Sequence, residues 1–179
     1  MQFNKNNVLL MTVIPIWLIT VIFGLFFASK STEVLFDASG SLYRASIQPE
    51  FDSKFSLLIS GALDKPLAKS VVHIISEDDC LCQLTASRHI HEVKDKVSRF
   101  GKTNIAVNVE DIPGLKDILS STPAIAVFDL EGSLAYLGPY STGIGCLSGN
   151  GTVEPYLDRT ATLGAIIPLE ATGCYCSKV

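Results

Sequence analysis

Five cysteines carry most of the chemistry open to this chain: Cys80, Cys82, Cys146, Cys174 and Cys176. Four of them form two C-x-C pairs, Cys80-Leu81-Cys82 and Cys174-Tyr175-Cys176, each with a large apolar residue in the middle. Such a set forms disulfides, exchanges them, or binds soft metal ions. Five is odd, so full pairing leaves one thiol over, and two bonds drawn from five cysteines allow 15 arrangements. Cys80 and Cys82 stand where a helix is expected to begin. A helix amino terminus offers unpaired N–H groups and the positive end of the dipole, and both favour a thiolate. Cys82 lies four residues before Ala86 and eight before Ile90, which predicts the buried face, while Cys80 falls at or just before the cap and faces outward. Inside a helix, residues i and i+2 point about 200° apart, so a Cys80–Cys82 bond requires the turn ahead of the helix. Glu77, Asp78 and Asp79 oppose a thiolate there, although Asp79 also suits the helix cap.

The elements that position these residues follow from periodicity. Ser70 to Ser76 is a β-branched run suited to a buried strand. Ala86, Ile90, Val93, Val97 and Phe100 recur at helical spacing and predict one apolar face, with Gly101 as the stop. Ile105 to Val109 is a second strand, Pro113 to Leu119 a short helix, and Ala124 to Phe128 a third strand. Asp129 to Gly132 turns into Leu134 to Leu137, an antiparallel partner. A Gly-rich loop from Gly138 to Gly151 leads to a last helix, Val153 to Leu163. Before all of these, residues 29–68 read as a connector with room for a first strand at Phe55 to Ile59. His73, His89 and His91 stand singly and read as packed or solvated side chains, and Asn150-Gly-Thr152 reads as a turn that also fits the glycosylation pattern.

The order β-α-β-α-β-β-α, with cysteines between a strand and its helix, resembles the thioredoxin arrangement. Two stretches carry the resemblance: Asp79-Cys80-Leu81-Cys82 after a hydrophobic strand, and Thr122-Pro123-Ala124, with Pro123 placed 43 residues after Cys80 and just before a strand. Thr122 to Gly138 is similar to the terminal hairpin of thioredoxin-like proteins, and the resemblance spans roughly Lys69 to Leu163. The chain departs from the family in having C-x-C in place of C-x-x-C. If Cys80 takes the family's first position, Gln83 holds the second; if Cys82 takes the second, Asp79 holds the first. The C-terminal pair and the loop at Cys146 also resemble membrane-anchored thioredoxin-like proteins of bacteria. The resemblance implies an α/β fold, a thioredoxin-like three-layer sandwich with a mixed central sheet at 69–165, followed by a cysteine-containing tail at 166–179. It further implies a cis peptide at Pro123 facing the cysteines, Cys80 as the attacking thiol, Cys82 as its resolving partner, and protein thiols and disulfides as substrate, with no cofactor.

Charge and hydropathy set the compartment. Residues 8–28 hold no charged side chain and predict one N-terminal transmembrane helix, Val8 to Ala28, about 31 Å long. Lys5 precedes it, and Lys30, Glu33 and Asp37 follow, which favours a cytoplasmic amino terminus and an exported domain. Taken with that, the resemblance to membrane-anchored bacterial proteins implies a single-pass protein of the bacterial inner membrane with its domain in the periplasm. A cleaved signal peptide is the competing reading, and it also exports the domain. Two of the 14 basic residues and none of the 18 acidic ones lie in the first 30, so the rest carries 12 against 18. An acidic domain without a basic stripe excludes nucleic-acid binding. Three functions fit: a thiol–disulfide oxidoreductase, a thiolate copper- or zinc-binding protein using Cys80, Cys82, Cys174 and Cys176, and a non-catalytic binding domain stapled by disulfides. For Cys146 the expected partner is a tail cysteine, and for the tail pair itself a staple and a shuttle are both open.

Overall fold

The computed structural model describes residues 5–30, 33–76, 80–143, 151–160 and 163–177. The chain divides into two compact units, Met1–Glu33 and Val34–Val179. In the first, the uncharged run folds as helix α1 (Lys5–Lys30), with Pro15 inside it. The side chains of residues 11–25 are exposed. Among the described residues, no helix is long and apolar enough to cross a membrane.

The second unit runs β1 (Val34–Leu35), α2 (Ser41–Ser46), α3 (Phe51–Leu63), β2 (Ser70–Ile75), α4 (Leu81–Arg99), β3 (Thr103–Asn108), α5 (Leu115–Ile118), β4 (Ser121–Thr122), β5 (Ala124–Phe128) and β6 (Leu134–Gly138). A 3₁₀ turn at Glu154–Tyr156 and the short strands β7 (Thr172–Gly173) and β8 (Cys176–Ser177) complete it. Strands β3-β2-β5-β6 form a mixed four-stranded sheet in that order. β2 runs parallel to β3 and antiparallel to β5, and β5 runs antiparallel to β6. The parallel pair needs a crossover, which α4 supplies. The antiparallel pair needs only a turn, and Asp129 builds it by accepting the Glu131 and Ser133 N–H groups on Oδ1, each at 2.9 Å.

The pleat of the two central strands sorts their side chains onto two cores. Val71, Ile125 and Val127 face Ala86, Ile90, Val93 and Val97 of α4. Val72, Ile74, Ala124, Ala126 and Phe128 face Phe51, Phe55 and Ile59 of α3, together with Leu42 and Leu115. Phe55 to Ile59, where a strand is expected, is therefore helix. Phe51, Phe55 and Ile59 recur every four residues, and that spacing makes one buried face of α3. Asp37 prepares this region by accepting the N–H groups of Leu42 (3.0 Å) and Tyr43 (2.8 Å) at the start of α2.

Two further expectations are corrected. Of the expected last helix, Val153 to Leu163, residues 161–162 lie outside the described residues, and the described part holds only the 3₁₀ turn at Glu154–Tyr156. Val153 and Leu157 are buried at helical spacing, but the backbone beyond them is drawn into bridges, with Lys102 Nζ donating to the Arg159 carbonyl (3.0 Å) and Leu130 N–H to that of Thr160 (3.3 Å). Phe100 leaves the apolar face of α4 and is 52 % exposed, because the helix stops at Arg99 and Gly101 turns away with φ +68°.

One buried polar chain crosses the sheet. His73 on β2 is fully buried, its Nδ1 2.6 Å from the Tyr140 hydroxyl and its Nε2 2.7 Å from Asn104 Oδ1. The Asn104 amide is oriented by its Nδ2, which donates to the Lys94 carbonyl and Ser98 Oγ, both at 3.0 Å. Oδ1 can only accept, so His73 carries its proton on Nε2 and accepts from Tyr140 on Nδ1. Burial lowers the His73 pKa from 6.5 to about 4. Unfolded His73 takes a proton near 6.5 and folded His73 resists it until about 4, so this contribution is complete above 6.5 and is lost as pH falls through that window. Urea unfolding should show the domain about 2 kcal/mol less stable at pH 5 than at pH 7. A His73→Asn variant should lose that difference.

Candidate functional site

The register of β2 on β5 pairs Ile74 with Ala124. Because the strands are antiparallel, the chain leaving β2 and the chain entering β5 lie at the same end of the sheet. The first leads to the cysteines of α4; the second is Ser121-Thr122-Pro123, where the Thr122–Pro123 peptide is cis, as expected.

Cys80 is the N-cap of α4, with extended backbone (φ −87°, ψ 126°) and no side-chain capping bond, so Cys82 already lies inside the first turn. Asp79, read as the cap, and its neighbours Glu77 and Asp78 lie outside the described residues. Gln83 fastens the turn: its Oε1 accepts the Ser76 N–H and its Nε2 donates to the Ser76 carbonyl, each at 3.0 Å. Gln83 thus works as a two-pronged clamp on the β2–α4 connection.

The cysteines expected to bond each other or resolve each other are bonded elsewhere. Cys80 joins Cys176 (Cα–Cα 6.0 Å) and Cys82 joins Cys174 (Cα–Cα 5.3 Å). The two C-x-C pairs are cross-linked in antiparallel fashion, and all four cysteines are half-buried. The division into an exposed Cys80 and a buried Cys82 does not hold. Both tail cysteines are spent on α4, so neither is left for Cys146, which itself lies outside the described residues, as does Asn150. Among the described residues, no group of three or more His, Cys, Asp or Glu is placed to hold a metal ion.

Besides the sulfurs, several attachments hold the tail, among them a bridge between Gly143 and Gly173 in which the Gly143 N–H donates to the Thr172 carbonyl at 2.6 Å. β7 pairs with β1, with Val34 opposite Gly173. β8 pairs antiparallel with β4, setting Cys176 opposite Thr122, next to cis-Pro123. Between the two tail cysteines, Tyr175 turns inward. It is 7 % exposed, its hydroxyl donates to the Ser141 carbonyl at 2.8 Å, and its ring meets Phe36 edge-on with centroids 5.2 Å apart. Gly173 makes room for that ring: a Cβ there would stand 2.8 Å from the Tyr175 hydroxyl and 3.0 Å from the Gly143 carbonyl.

A second polar cluster lies on the α4 face. His89, read as packed or solvated, is buried and places Nε2 2.8 Å from Glu154 Oε1, and Lys96 Nζ reaches the same oxygen at 3.2 Å. Burial acts to raise Glu154, but the hydrogen bond from His89, a backbone bond, the His89 charge and Lys96 outweigh it and hold the carboxyl at about 2. His91 is exposed.

As mechanical staples the two disulfides overlap. The Cys80–Cys176 bond closes a 96-residue span, for about 5 kcal/mol of loop entropy. Once it is made, the second bond closes only the small ring through Leu81 and Tyr175, for roughly 2 kcal/mol.

A family model described as Domain of unknown function (DUF6436) matches residues 48–178. No curated protein and no solved structure matches the chain.

Crowding at Gly173 is directly testable. Gly173→Ala should lower stability by about 1–3 kcal/mol in urea unfolding of the oxidised chain, because the Tyr175 ring or the Gly143 backbone must shift. Gly61→Ala is the contrast. Gly61 lies within α3 with no atom within 4 Å of a Cβ, so alanine there should stabilise by about 1 kcal/mol.

Proposed function

The chain belongs to the DUF6436 family, and from that premise we propose a membrane-anchored, thioredoxin-like thiol–disulfide exchange protein whose redox unit is Cys80, Cys82, Cys174 and Cys176. The observation that carries this reading is the cross-pairing of two C-x-C motifs at the amino end of α4, beside a cis-proline. A fold that needed only a staple would gain most of the stabilisation from one of the two bonds. The sheet order β3-β2-β5-β6, with one parallel and two antiparallel pairings, and the cis-proline before β5 support the thioredoxin-like assignment. The anchor in this reading is the run from Val8 to Ala28, proposed from its 21 uncharged residues in sequence. The resemblance and the order of charges around that run support a bacterial inner-membrane protein with its domain in the periplasm.

Exchange starts from the bonded state. A thiolate of a partner dithiol attacks the Cys80 sulfur, the bond to Cys176 breaks, and Cys176 leaves as a thiolate that takes up a proton. The second thiol of the partner then attacks its own sulfur in the mixed disulfide, releasing Cys80. Two electrons and two protons have moved: the partner is oxidised to a disulfide, and the Cys80–Cys176 bond is reduced to two thiols. Cys82–Cys174 can accept a second pair in the same way. Pro123 keeps an extended backbone beside the sulfurs while this happens.

The test is a redox titration of the full chain in a thiol/disulfide buffer, followed by alkylation and mass spectrometry of each cysteine. Both bonds should open reversibly at potentials between about −120 and −270 mV, the range of exchange proteins. Bonds that remain closed below about −300 mV would make the four cysteines a structural clasp and the domain a binding module.

A further inference from the structure

The tail lies in the site the way a bound peptide would. β8 is the strand that pairs with β4, and it sets Cys176 on Cys80 next to cis-Pro123. The residue before Cys176, Tyr175, fills a buried position closed by Phe36 and the Ser141 carbonyl. Main-chain pairing supplies the hold and the aromatic side chain supplies the discrimination, which is how an added strand is recognised. Two more features lie beside this occupant. Ser121 Oγ and Thr122 Oγ1 on β4 are buried without a hydrogen-bond partner. Leu81 and Leu84, on the first turn of α4 between and beside the cysteines, are 74 % and 70 % exposed, an apolar surface the tail leaves uncovered.

We propose that residues 172–177 are a displaceable occupant of a peptide site, and that the site exchanges with an extended strand of another protein bearing an aromatic residue directly before its cysteine. This rests on the exchange reading above and names its substrate class. With both bonds reduced by a dithiol, the Cys80 thiolate attacks the disulfide of the incoming strand. A mixed disulfide forms between Cys80 and the strand's cysteine, and the strand's other sulfur leaves as a thiol. The tethered tail competes at an effective concentration on the order of millimolar, so a free peptide acts at comparable concentrations.

The experiment uses the full chain reduced to thiols and two synthetic peptides of the sequence 172–177 with serine in place of the first cysteine. One keeps the tyrosine and the other has alanine there; the cysteine of each is activated as a thiopyridyl disulfide, and glutathione disulfide serves as the small control. The tyrosine peptide should form the Cys80 mixed disulfide about tenfold faster than the alanine peptide, the factor expected for burying an aromatic ring. The same preference should persist in the Cys174→Ser/Cys176→Ser chain, which cannot reclose on its tail. Equal rates for the two peptides, with glutathione disulfide reacting, would overturn the aromatic site and leave the exchange reading standing. Failure of all three disulfides to react at Cys80 would overturn both.

Discussion

The antiparallel pairing of β2 with β5 is the constraint from which the site follows. Both strands are buried on both faces, and the register that sets Ile74 opposite Ala124 is fixed by which side chains must face α4 and which must face α3. A slip of one residue would turn Val71 and Val127 away from α4 and carry Pro123 out of reach of the α4 cap. The end of β2 and the start of β5 therefore meet at one edge of the sheet because the core requires it. Gln83 makes the meeting exact to within a hydrogen bond by clamping Ser76, and the cysteines inherit their position from that clamp.

The tail adds a second level of dependence. Its two short pairings bring too few main-chain bonds to hold a free end, since a two-residue strand is marginal alone. Tyr175 and the disulfides hold it, and each needs a particular neighbour: Tyr175 needs Gly173 to be without a side chain, and the bonds need equal spacing within the two C-x-C pairs. An antiparallel ladder of 80 with 176 and 82 with 174 is possible only because one residue separates the cysteines in both motifs. The C-x-C spacing at α4 and the C-x-C spacing of the tail are thus one feature seen from two ends.

Much of this frame was legible in the sequence, and the losses have physical causes. The β-branched runs at 70–76 and 124–128, the heptad-like face of α4 and the Asp129–Gly132 turn depend on local pattern, and they fold as their patterns predict. The resemblance carried the cis peptide at Pro123, which no periodicity encodes. At α3 the helical signal was present in Phe51, Phe55 and Ile59, but reading Phe55 to Ile59 alone as an apolar run hid it. The missing last helix depends on long-range partners of Arg159 and Thr160, which no window of sequence contains. Disulfide partners are of the same kind. Helical geometry left Cys80–Cys82 open only in the turn ahead of α4, and only the path of the tail across β4 decides among the arrangements.

In the proposed exchange, the paired bonds also determine how the site opens. If only Cys80–Cys176 is reduced, Cys82–Cys174 still holds the tail two residues away, and the freed thiols face each other at high effective concentration. The tail so held keeps β8 on β4, and a singly reduced chain remains shut. Release of β8 from β4 requires the second bond as well, after which the tail is kept by Tyr175 and a few main-chain bonds alone. A single disulfide would open in proportion to the reducing power around it; two in a ladder make opening steeper, because the first electron pair changes little and the second changes everything. The overlap that makes the second bond a poor staple is what makes the pair a threshold.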